Sequence, residues 1–178
     1  MHYVVSLGLD ERSKRLLRPE LRGAVRKFLP HISIKGRFAL RNDSWHDLCS
    51  LVSAEFAGLP ATRVHLSLPT AISPTLVWRE LSRPDEVRVL RSLHLQLRDA
   101  LVRSGLMVSD RTPIEFQNEG FRPHITTRWF CDHGSHRRPT YTGPKCELEV
   151  MCACLEIYHY VGLPFFAHVT RTELRKLA

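Results

Sequence analysis

The amino-acid sequence predicts an α+β fold in which strands pair antiparallel. Short β-rich stretches are interleaved with amphipathic helical stretches, and two or three further strands close the chain. One eight-residue pattern also occurs twice, about half a chain length apart, which suggests two related lobes that each offer the same short strand.

Taken in order, Tyr3 to Gly8 reads as a first strand, short and β-rich. Residues 19 to 28 read as a helix: Pro19 fits its first turn, and Leu21, Ala24, Val25 and Phe28 share one face. Pro30 ends it, and His31 to Arg37 reads as a strand with Ile32 and Ile34 on one side. Residues 44 to 57 predict a second helix, capped by Asp43 or Ser44 and striped by Trp45, Leu48, Val52 and Phe56. Thr62 to Leu68 alternates as a strand, and Leu76 to Leu81 is a further candidate. The clearest helix covers 85 to 104, with Asp85 as cap, Val87, Leu90, Leu97 and Leu101 as stripe, and Gly105 as stop. His124 to Phe130 reads as a strand and Cys131 to Pro144 as a polar loop. Cys146 to Val161 and Phe165 to Arg171 form the closing strands. No linker separates domains, so the expectation is one domain over 1–178 with repeat halves near 1–90 and 91–178.

Composition narrows the class. A chain of 178 residues, 43% hydrophobic and 25% charged, buries roughly 70% of its unfolded surface and needs neither disulfides nor metal to fold. No apolar run approaches the roughly 20 residues a membrane helix requires, and Tyr3 to Leu9 is too short for a signal peptide's apolar region. The five cysteines, Cys49, Cys131, Cys146, Cys152 and Cys154, are odd in number and follow no secretion signal, so reduced thiols in a cytoplasm are expected. The net charge is +8, and Arg supplies most of the excess, with only five Lys. Arg suits phosphate because its planar fork binds two oxygens, although Arg spread over solvated faces gives the same total.

The repeated pattern carries the chemistry. Residues 28 to 35 read Phe-Leu-Pro-His-Ile-Ser-Ile-Lys, and residues 121 to 128 read Phe-Arg-Pro-His-Ile-Thr-Thr-Arg. His-x-[Ser/Thr] alone is weak and recurs at His65-Ser67 and His168-Thr170. Only His31 and His124 carry the shared Phe, Pro, Ile and basic flanks. Strand residues i and i+2 point to one face, so His31 and Ser33 project together, as do His124 and Thr126. Lys35, Arg37 and Arg128 continue those polar faces. Two imidazoles that titrate near neutrality suit paired proton transfer, one accepting and one donating. The hydroxyls suit non-bridging phosphate oxygens. No metal is required.

Pro30-His31-Ile32-Ser33-Ile34 and Pro123-His124-Ile125-Thr126-Thr127 resemble the two signature motifs of the 2H phosphoesterase superfamily, which includes the 2′-5′ RNA ligase-like proteins and cyclic nucleotide phosphodiesterases. The resemblance implies a bilobal fold: two antiparallel sheets around a central groove, helices outside, and a pseudo-two-fold axis. It implies metal-independent hydrolysis or ligation of 2′,3′-cyclic or 2′,5′-linked phosphodiesters in RNA ends, oligonucleotides or nucleotides, without a cofactor. His31 and His124 would be catalytic; Ser33 and Thr126 would hold the phosphate, with Lys35, Arg37 and Arg128 as further substrate contacts. The polar segment Cys131 to Pro144 departs from the helix that many relatives carry there. A non-catalytic RNA- or nucleotide-binding module, using the same basic groove, is the alternative.

Other residues compete. Cys131, His133, His136 and Cys146 are zinc-type ligands, but their spacing fits no common finger. Cys152 and Cys154 share a strand face, most simply a core face. His65 and His168 are rival catalytic histidines. Arg22, Arg26 and Lys27 could steer RNA. Phe38 and Trp129 could stack a base or pack the core. Tyr158 and Tyr160 lie on a late strand whose relation to the groove the sequence leaves open.

Overall fold

A computed structural model describes residues 2–23, 30–73, 76–113, 117–129, 145–162 and 165–175. Its elements are β1 (His2–Leu9), α1 (Glu11–Leu17), β2 (Arg22–Gly23), β3 (His31–Leu40), α2 (Trp45–Glu55), β4 (Thr62–Leu66), β5 (Thr70–Ser73), β6 (Leu76–Glu80), α3 (Pro84–Arg103), β7 (Met107–Asp110), β8 (His124–Trp129), β9 (Leu148–Gly162) and β10 (Phe165–Glu173). They form two sheets. Six strands make the larger, in the order β10-β9-β1-β3-β7 with β4 also on β9, and four make the smaller, in the order β2-β8-β6-β5. Every pairing is antiparallel except the two-residue match of β2 with β8. The α+β class and the antiparallel sheets are as the sequence predicts.

The long strand β9 organises the larger sheet. Its first part, Leu148–Cys152, pairs with β4, and the stretch from Cys152 to Tyr160 pairs with β1. Each sheet draws strands from both halves of the chain, and residue 90 falls inside α3. The sheets are therefore not the sequence halves 1–90 and 91–178.

The helices follow their apolar spacing. On α3, Leu90, His94, Leu97, Ala100 and Leu101 are buried, the stripe of a helix with one face in the core. Pro84 opens it, Asp85 and Glu86 sit in its first turn, and Gly105 follows it at φ +66°, a conformation suited to glycine. His94 fills the gap in the predicted stripe because its Nδ1–H donates to the Ile34 carbonyl at 2.7 Å, fastening α3 to β3. Burial holds its imidazole below the usual range, so it sits in the core uncharged. On α2, Leu48 and Val52 are buried and Phe56 closes the face just beyond it, while Trp45 stays exposed.

Three expectations are corrected. The described part of the helix expected over 19–28, residues 19–23, is not helical: Pro19 and Glu20 lie in a turn, and Arg22–Gly23 pairs with β8. The cause is tertiary. The Glu20 carboxylate accepts two hydrogen bonds from the Arg79 guanidinium, both 2.8 Å, in a pair without solvent exposure, and this fixes the turn. Residues 24–29, with Arg26 and Lys27, lie outside the described residues, as does the Arg22 side chain. Second, a helix precedes that turn. In α1 the Asp10 side chain accepts from the Ser13 amide at 2.7 Å, as an N-cap does. Third, β5 and β7 are strands that the sequence reading does not contain; each is only four residues long.

Candidate active site

The two motif strands lie on different sheets, β3 in the larger and β8 in the smaller, and the strands approach one another. On each, the expected alternation holds. Ile32, Ile34, Ile125 and Thr127 are buried, whereas His31, Ser33, His124 and Thr126 are half-buried on the opposite face. The two histidines sense each other: the charge of His31 contributes to lowering the His124 pKa.

His124 is held tightly. Its Nδ1–H donates to the Arg122 carbonyl at 2.8 Å, and its ring lies 4.1 Å from the Trp78 ring, centroid to centroid, tilted by 36°. Crowding around the ring favours the uncharged form, and the charges of His31 and Arg122 add to this against the opposing carbonyl, so the pKa falls to about 4. The imidazole is therefore neutral at pH 7 with its proton on Nδ1, which leaves the Nε2 lone pair as the acceptor.

His31 rests on the larger sheet's polar floor. Its ring lies 5.1 Å from that of Tyr158, whose hydroxyl donates to Glu156 Oε2 at 2.5 Å. Glu156 is fully buried and also receives the Cys154 thiol at 3.7 Å. Cross-strand register puts Ser33 opposite Ser6 and Ser6 opposite Glu156. Gly8 stands opposite His31 and Cys154, and a Cβ there would come within 2.6 Å of Cys154 Sγ and Glu156 Oε2. The glycine is what leaves the buried carboxylate its space.

On the smaller sheet, Trp78 and Glu80 lie opposite Thr126 and His124. Arg122 pairs with Glu80 at 2.6 Å and lies 5.9 Å from the Trp78 ring centroid. A cavity of about 190 Å³ adjoins this pair, between the end of β6, the first half of α3 and the turn before β8.

The remaining predicted residues scatter. Lys35 does not reach solvent: it is fully buried, and its ammonium donates to Asp110 at 2.7 Å and Thr112 at 3.1 Å. Burial pulls the ammonium down, and Asp110 draws it back up. Arg37 is exposed at the far side of Gly36. The Arg128 and Trp129 side chains lie outside the described residues, although the Arg128 backbone pairs with Val77. Phe38 is core, buried beside Tyr3 at 6.4 Å between ring centroids. His65 is clamped between carboxylates, with Glu86 at 2.6 Å on Nδ1 and Glu149 at 3.3 Å on Nε2, and the Glu86 carboxylate also takes its backbone amide. The His168 and Tyr160 side chains lie outside the described residues, as do Cys131, His133 and His136; Cys146 is exposed with a free thiol. Among the described residues no three His, Cys, Asp or Glu gather as a metal site. Cys152 and Cys154 are fully buried, and burial pushes the Cys152 thiol up to about 12. No described helix is long and apolar enough to cross a membrane.

Sequence reasoning singled out Tyr158 without placing it at the groove, and missed Glu156, Gly8, Trp78, Glu80 and Arg122. One signal was available: Glu156 is a lone charge in an otherwise apolar strand run, between Cys154 and Tyr158 on the same face.

No family model and no curated protein matches the chain. Solved structures do. E. coli LigT complexed with 3′-AMP is 17% identical, with 97% of each chain covered and a TM-score of 0.58. A phosphoesterase is 19% identical, with 98% of each chain covered and a TM-score of 0.57. TT0787 of Thermus thermophilus is 18% identical, with 99% of each chain covered and a TM-score of 0.59. LigT has also been solved with NADP+ and with ATP. Over nearly its whole length, the chain has the fold of LigT and of these other solved structures.

Proposed function

We propose that the chain is a 2H-type phosphodiesterase that opens 2′,3′-cyclic phosphates or cleaves 2′,5′-linked phosphodiesters in RNA ends, oligonucleotides or nucleotides, without a metal. The observation that carries the reading is the meeting of two matched His-x-[Ser/Thr] strands from separate sheets, close enough for one histidine's charge to depress the other's pKa. The neutral His124 takes a proton from the attacking water through Nε2, and the water oxygen forms the new bond to phosphorus. His31, protonated, gives its proton to the ribose oxygen as that bond to phosphorus breaks. Ser33 and Thr126 donate hydrogen bonds to the non-bridging oxygens. Arg37 and Arg128 extend the basic approach for an anionic chain, while buried Lys35 braces β3 against β7.

The test is turnover, with chelator present, of a 2′,3′-cyclic mononucleotide, a 2′,5′-linked dinucleotide and a cyclic dinucleotide. Wild type should turn over at least one of them. His31→Ala and His124→Ala should each lose activity by at least about a hundredfold. Full activity in both variants would sink the reading. Binding without turnover by wild type would replace it with a nucleotide-binding module.

A further inference from the structure

The proton transfers leave one buried acid unused. Glu156 is fully buried on β9 between Leu155 and Ile157, which enter the core. Taking a carboxylate out of water is costly, and its charge adds nothing to packing. Two neighbours on its own strand compensate it: the Tyr158 hydroxyl donates to Oε2 at 2.5 Å and the Cys154 thiol to Oε1 at 3.7 Å. The shorter distance is that of an O–H donor on a charged oxygen. Tyr158 in turn lays its ring 5.1 Å from the His31 ring.

Gly8 shows how near the carboxylate comes to that histidine. It is the residue directly opposite His31 on β1, and a Cβ there would lie 2.6 Å from Glu156 Oε2. Residues opposite one another in an antiparallel pair hold their Cβ atoms about 4.5–5.5 Å apart. The Glu156 carboxylate therefore occupies the place where the cross-strand neighbour of His31 would be. The other charged or titratable groups around the pair come from each adjoining strand. On β3, Lys35 is engaged by Asp110. On β8, His124 is neutral at pH 7. On β1, Ser6 and Gly8 carry no charge. On β10, Arg171 stands opposite Glu156 in register, its side chain outside the described residues. An anion beside an imidazole favours the protonated ring, which is the form a proton donor needs at the start of each turnover.

We propose that Glu156 is a positioning residue: its carboxylate, held in place by Tyr158, keeps the His31 imidazole charged and ready to donate. The part this plays in turnover rests on the phosphodiesterase reading above; the hold on the His31 charge does not.

Two measurements test it, on wild type, on Glu156→Gln, which keeps the shape and still accepts from Tyr158 without the charge, and on Glu156→Asp, which keeps the charge. In the first, NMR follows the titration of the His31 ring, assigned by its loss in His31→Ala. Its midpoint should fall by about one pH unit in Glu156→Gln and return most of the way in Glu156→Asp. An unmoved midpoint in folded Glu156→Gln overturns the proposal whatever the enzyme does. Should that variant not fold, wild type decides: a His31 midpoint at or below the about 6.5 of an ordinary imidazole overturns it. In the second, kcat/KM for a 2′,3′-cyclic mononucleotide is measured against pH. The alkaline limb reports the donor and the acid limb the base. Glu156→Gln should move the alkaline limb down by the same unit and leave the acid limb in place. A rate lowered equally at every pH would make Glu156 a packing residue only and overturn the role in turnover. A His31 midpoint that shifts in a protein that turns over no ester supports the hold on the charge and places the failure in the phosphodiesterase reading.

Discussion

The depressed His124 pKa makes a quantitative prediction about stability. The sign follows from the two states. The imidazole titrates near 4 in the fold and at 6.5 in an unfolded chain. Above pH 6.5 both states are neutral and the group contributes nothing. As the pH falls below 6.5 the unfolded chain takes up a proton that the native state refuses, so stability drops until the native group titrates near 4. The 2.5-unit gap between those two values corresponds to about 3 kcal/mol in full, and about 2 kcal/mol is already lost at pH 5. The assay is urea unfolding of wild type and His124→Asn at pH 7 and pH 5. Other groups titrate in both proteins and cancel in the difference. Wild type should lose about 2 kcal/mol more than the variant between the two pH values. Equal losses would mean that His124 titrates normally, and would remove the argument that it is a neutral base.

Three further outcomes follow from the packing. His31→Ala removes the positive neighbour that lowers His124, so the His124 imidazole should titrate at higher pH in that variant, read by NMR of the ring protons; an unmoved titration would separate the two histidines. Gly8→Ala places a Cβ within 2.6 Å of Cys154 Sγ and Glu156 Oε2, and should cost about 1–3 kcal/mol of stability; thermal unfolding no lower than wild type would refute the crowding. Arg79→Met leaves the fully buried Glu20 carboxylate without its guanidinium. It should cost about 3–5 kcal/mol at pH 7, and the double variant with Glu20→Leu should recover part of that loss in denaturant melts.

Much of this fold was legible because it rests on local periodicity. The His31 strand, the α2 and α3 stripes and the closing strands were all set by spacing that a short window contains. The matched octamers reported that two strands serve one site, and the pattern of half-buried His, Ser and Thr against buried Ile matches the two-residue repeat. What escaped depends on partners far away in the chain. Lys35 reads as a groove residue until Asp110, 75 positions later, takes its ammonium. Pro19 to Phe28 reads as a helix until Glu20 is claimed by Arg79, 59 positions later. Phe38 is equally suited to a base or a core, and only the position of Tyr3 decides. Glu156 and Tyr158 gain their meaning only when β9 is laid beside β1 and His31 stands two strands away.

That laying of β9 beside β1 also governs when the protein can begin to work. The pairs His2–Tyr160 and Val4–Tyr158 join opposite ends of the chain, and β3 reaches the sheet only through β1. Both motif strands precede β9 in the chain, so the sheet under His31 lacks its partner until that strand follows. Such distant pairings delay folding and leave strand edges uncovered meanwhile. During synthesis the chain should therefore carry both histidines for some time as an inactive, adhesive intermediate, and gain its site in one late step.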